Sequence, residues 1–96
     1  MTHDEFVASL SKGAPPAGIG KLLEALWHDA AGDWQRAHRI VQSQSGRQSA
    51  LIHAYLHRKE GDFANAGYWY DQAGVAAPAM SLQAEWESCV DAVLRR

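Results

Sequence analysis

His53 and His57 stand four positions apart, a spacing that puts both side chains on one face of a helix and lets two imidazoles turn toward the same point. Glu24 and His28 repeat that spacing 29 positions earlier. If the two helices lie side by side, Glu24, His28, His53 and His57 converge. Imidazole and carboxylate together suit a divalent transition metal such as zinc, nickel or iron. The spacing is not that of a compact ligand motif such as HExxH, so geometry would have to supply what the motif does not. The other reading of the same residues is a partly exposed helical face. There Glu24, His28, His53, His57 and Arg58, with Tyr68 at the edge, would meet a protein partner, since aromatic and arginine side chains are enriched at such contacts.

Catalytic chemistry has thinner support. No Gly-rich phosphate loop and no Gly-x-Ser-x-Gly elbow occurs in the chain. Asp29, Asp33, Glu60 and Asp62 gather near expected helix ends, where capping and solvation account for them. His57 acting as a base beside Glu60 or Asp62 is the catalytic arrangement that remains. Cys89, the single cysteine, falls among Trp86, Val90 and Val93 at helical spacing and reads as a buried, inert thiol. The expectation is a non-catalytic protein without a cofactor, with a divalent metal as the alternative.

The totals set the frame for either reading. Ninety-six residues, 47% hydrophobic and 21% charged, make one small globular domain with a single core. A formal charge of −2 lacks the basic excess that nucleic-acid binding requires. The only basic run, Arg95-Arg96, sits where a helix end favours positive charge. No apolar run approaches the roughly 20 residues that span a bilayer. The opening MTHDEFVASL lacks the layout of a signal peptide, and a lone cysteine excludes an internal disulfide. A cytoplasmic protein with neither nucleic acid nor membrane as partner is expected.

Helices must position these residues. No segment alternates apolar and polar residues, alanine is abundant and β-branched residues are few. Thr2 and Glu5 have capping-box spacing and predict a short helix over about 4–11. The prolines of KGAPPAG, residues 12–18, end it. Further helices are expected from 19 or 20 to 31, over 33–43, 49–60 and 62–73, and from a Ser81 cap to Leu94. Leu82, Trp86, Val90 and Val93 give the last one an apolar stripe.

Gly32-Asp33-Trp34 returns 29 positions on as Gly61-Asp62-Phe63. At that offset, without a gap, Leu22, Leu23, Leu26 and Trp27 fall on Leu51, Ile52, Tyr55 and Leu56, and Ala37 falls on Ala66. Two copies of one helix-turn-helix unit follow. Glycine accepts the left-handed conformation that stops the first helix, and the aspartate caps the second. Phe63, Ala66, Trp69 and Tyr70 are expected to pack this corner, with Tyr68 left exposed.

The second unit, Gly61-Asp62-Phe63-x-x-Ala66-x-x-x-Tyr70-x-x-Ala73 with Pro78 beyond it, resembles the second helix of a tetratricopeptide repeat. Ala66-x-x-Trp69-Tyr70-x-x-Ala73 is similar to the end of a Sel-like repeat. The first unit matches at Gly32, Asp33, Trp34 and Ala37, and the period is shorter than the usual 34 or so, so the likeness is to a degenerate member. The stretch LIHAYLHRKEGD…YWY also resembles small bacterial proteins of similar length without assigned activity. The resemblance, over about 20–78, implies an all-α domain of two stacked hairpins. Its units span about 20–44 and 49–73, and helices over about 4–11 and 81–94 cap it, all within a single domain 1–96. It implies a protein-interaction module lined by the first helix of each unit, with a homodimer as another way to cover apolar surface. The alternative is a metal or small-ligand site on His28, His53, His57 and Glu24.

Overall fold

The Thr2 hydroxyl oxygen accepts from the Glu5 amide at 3.1 Å, while Glu5 Oε1 accepts from the Thr2 amide at 2.8 Å. This is the reciprocal cap that the spacing predicts. A computed structural model of the chain describes residues 1–95, and Arg96, the second member of the terminal basic pair, lies outside them. Helix α1 runs His3–Ser9 and tightens into a 3-10 turn over Leu10–Lys12. It is followed by α2 (Lys21–Ala30), α3 (Trp34–Gln42), α4 (Arg47–Lys59), α5 (Phe63–Ala73) and α6 (Leu82–Leu94). Among the described residues there is no strand. Among the described residues no helix is long and apolar enough to cross a membrane. Helix α4 begins two residues ahead of the expected Ser49. Gly46, at φ +101°, turns the loop sharply enough for Arg47 and Gln48 to join the helix.

The two Gly-Asp corners are built alike. Gly32 and Gly61 take φ of +91° and +87°. The amide of the next residue then reaches back to the first helix: Asp33 N–H to the His28 carbonyl at 2.8 Å, and Asp62 N–H to the His57 carbonyl at 2.9 Å. Each aspartate also opens the following helix, its Oδ1 accepting from the Arg36 amide in one corner and the Asn65 amide in the other. Local bonding alone stops one helix and starts the next.

Packing layers these pairs. Helix α2 lies along α3, α4 along α5, and α3 against α4. Buried Ala25, Ala37, Ala54 and Ala66 let the helices approach closely. The main core joins Phe6, Leu26, Val41, Ile52, Leu56, Trp86 and Val90. Helix α6 then turns back across α4 and α2 to meet α1. Trp86 Nε1 donates to the Leu26 carbonyl at 2.9 Å, and Gln48 Nε2 to the Ala92 carbonyl at 2.8 Å.

Two buried carboxylates pin α4 in place. Asp29 accepts from the Tyr55 hydroxyl at 2.7 Å and from Lys59 Nζ at 2.9 Å. Glu85 accepts from Arg58 Nη1 at 2.7 Å and the Tyr70 hydroxyl at 2.6 Å. Burial, and then the adjoining carboxylate, raises both phenols above their ordinary range, so they stay protonated donors. Each buried charge thus has two donors, the condition under which such a group is tolerated.

Phe63 departs from expectation, being 70% exposed rather than packed in the corner. Its counterpart Trp34 covers the end of α4, with Nε1 donating to the Leu56 carbonyl at 2.8 Å. No further layer follows α5 for Phe63 to cover, because α6 returns over α4 and α2.

Candidate functional site

His53 and His57 follow each other along α4 with rings nearly parallel (22°) and centroids 4.9 Å apart. Helix α3 brings His38 against both, at 4.9 and 5.1 Å and almost perpendicular. His38 Nε2 and His53 Nε2 are 3.1 Å apart. One ring nitrogen from each of the three lies within 4.8 Å of the others.

Two indoles hold the group from its ends. Trp34, one turn before His38 on α3, stacks on it at 4.8 Å and 12°. Trp69 of α5 stacks on His53 at 3.9 Å and 14°. That closeness follows from Ala54 and Ala66, which are buried between α4 and α5 beside Tyr70 and leave no bulk to hold the helices apart.

Burial pushes the His53 imidazole down to about 4, and its neighbours His38 and His57 add to the effect. Burial lowers His38 as well, followed by the influence of His57. Both rings are therefore neutral at pH 7, each with one N–H and one lone pair. His57 Nδ1 meets Glu60 Oε1 at 2.7 Å. The carboxylate calls for a proton on Nδ1, so the lone pair of a neutral His57 is on Nε2. A second grouping, His57, Glu60 and Asp62, sits at the corner. There both Asp62 oxygens are occupied by Asn65, through its backbone and side-chain N–H groups, and Asp62 acts as a helix cap.

The four residues expected to converge do not share a point. Among the described residues, neither cluster of metal-ligating side chains contains Glu24 or His28. Glu24 pairs with Lys21 at 3.6 Å on its own helix. His28 is buried with its ring edge-on to Trp27, and among the described residues its Nε2 has no hydrogen-bond partner. Burial, and then Arg36, lowers its proton affinity.

Arg58 is turned inward to Glu85 and the Met80 carbonyl. Tyr68 lies outside the trio, 55% exposed, with its ring perpendicular to Trp69. Cys89 is buried, as expected, and burial pushes its thiol up to about 12.

His38 is the residue that the repeat comparison passes over, since at the 29-residue offset it falls on Gly67. Its signal in the sequence is the Trp34–His38 spacing, which places indole and imidazole on one face of α3. Beside the trio a cleft of about 570 Å³ opens between the α3–α4 loop, α4 and α5, with His53 and Trp69 in its wall. What the arrangement offers chemically is three imidazoles, two held neutral by burial and one oriented by a carboxylate, next to an open cleft. Comparison of the chain with protein-family models, curated proteins and solved structures gives no match.

Proposed function

We propose that this chain is a small helical metal-binding protein that holds one divalent transition ion, zinc by preference, on His38, His53 and His57. The observation that carries the reading is the approach of three imidazole nitrogens from two helices, with one pair already 3.1 Å apart. Two ligands of a tetrahedral ion at about 2.0–2.1 Å stand roughly 3.3 Å from each other, so that pair has the length of a coordination edge. Glu60 behind His57 supplies the carboxylate that commonly orients a metal-bound histidine. Three nitrogen ligands suit zinc and leave a fourth position for water or a ligand.

In this reading the two hairpins stack in the manner of degenerate tetratricopeptide units and act as the mount for the ion. Helix α6 lies over α2 and α4, the helices on which such repeats receive a partner. A protein-interaction module is the second reading, favoured by the exposure of Phe63 and Tyr68 on α5. It would use the outer side of α5.

Calorimetric titration of chelator-treated protein with zinc tests the first reading, beside His38→Ala and His28→Ala variants checked for helix content. One ion per chain is expected for the parent and for His28→Ala, and none for His38→Ala. Cobalt(II) should give the visible bands of a tetrahedral nitrogen-rich site. No stoichiometric binding by the parent, or loss in His28→Ala with retention in His38→Ala, would refute it.

A further inference from the structure

The cleft beside the trio has a charge character of its own. Of its apolar lining residues Trp69 is half-buried while Val41 and Ala50 are buried. Gln42, Gln44, Ser45 and Gln72 are exposed polar residues beside them, and Arg47 is the charged one; among the described residues no aspartate or glutamate lines it. Among the described residues Arg47 takes part in no ion pair. Its guanidinium carbon lies 4.0 Å from where a Cβ on Gly74 would stand. The side chain therefore reaches from the start of α4 to the carbonyl end of α5, whose partial negative charge favours it there. An exposed guanidinium, an indole face and, among the described residues, no acidic group in the lining disfavour a cation in the cleft itself. A wholly apolar ligand would leave the donor fork unused.

We infer that this cleft binds a small organic carboxylate, its flat apolar body against the Trp69 indole and its two oxygens on Arg47. The planar fork of arginine matches a carboxylate through two parallel hydrogen bonds. About 570 Å³ is ample for a ligand of one or two rings. The inference goes beyond the metal reading and does not depend on the ion, since Arg47 and Trp69 are in place without one.

Benzoate serves as the probe, benzamide as its uncharged isostere, and inorganic phosphate as an anion without an apolar body. Each is titrated into the full chain, chelator-treated and zinc-loaded, while the Arg47 and Ala50 amide signals and the Trp69 indole signal are followed by NMR. Benzoate should shift these signals to saturation in the chelator-treated protein, with benzamide and phosphate weaker by about tenfold or more. Arg47→Gln should bring benzoate down to the benzamide level and leave zinc stoichiometry intact. Benzoate no better than benzamide or phosphate, or unaffected by Arg47→Gln, overturns the inference. So does benzoate binding that appears only with zinc, which would place the anion on the ion. Zinc binding is read separately, so failure of the metal site and failure of the cleft give different results.

Discussion

His38 and His53 meet nitrogen to nitrogen, 3.1 Å apart, across the seam between α3 and α4. Two neutral imidazoles in that contact share one proton: one ring is the Nε2–H tautomer and the other presents its lone pair. Each ring has an indole stacked on one face, Trp34 on His38 and Trp69 on His53, so packing holds the contact. An ion could take the place of the shared proton with little movement of either ring.

Replacing Glu60 by glutamine keeps the size of the side chain and removes the charge behind His57 Nδ1. Zinc affinity should fall by about 10–100-fold with the stoichiometry unchanged, which is the usual cost of losing such a partner. Competition with a chromophoric chelator measures it. Glu60 is 37% exposed, so the melting temperature of the metal-free variant should barely move. An unaltered affinity would show that the His57–Glu60 contact serves the helix end alone.

Metal-free protein should lose stability as pH falls from about 6.5 toward about 4. The His53 imidazole ionises near 6.5 in the unfolded chain and only near 4 when folded. Between those values the unfolded state binds the extra proton, so the stabilisation is complete above the upper value and declines toward the lower one. His38 acts in the same direction. His3 works the opposite way: its bond to Asp91 raises it, so its contribution is complete at low pH and fades as pH rises through that raised value. Urea midpoints across this range check the slope, and His53→Asn should flatten it.

Glu85→Ala should cost about 3 kcal/mol, because it leaves the partly buried Arg58 guanidinium without its carboxylate and the Tyr70 hydroxyl without its acceptor. Phe63→Ser, at an exposed site, should stay within about 0.5 kcal/mol of the parent. Chemical denaturation of the two variants separates them. Equal losses would mean that the Glu85 network carries little of the stability.

The helices and their corners were legible because their causes are local. Gly61 and Asp62 need only φ freedom and a carboxylate within three residues of the amide it caps, and the same holds for Gly32 and Asp33. Thr2 and Glu5 are another such case. Phe63 was misplaced for the opposite reason. Its burial depends on whether a further layer lies over α5, and nothing in GDF reports where the chain goes twenty residues later.

The histidines divide along the same line. Sequence alone put His53 and His57 on one helical face, since the turn of a helix guarantees it. It could not tell whether residues one repeat earlier would join them, and Glu24 and His28 belong to neither cluster of metal-ligating side chains among the described residues. The tertiary structure decided that His38 is the third member, because α3 crosses α4 at that point and Ala54 lets α5 close in from the other side. It also decided that α6 folds back over α2 and α4, through contacts such as Trp86 with Leu26. Contacts within one or two turns are written in spacing. Contacts made by the crossing of distant helices depend on the whole packed core, and no local period carries them.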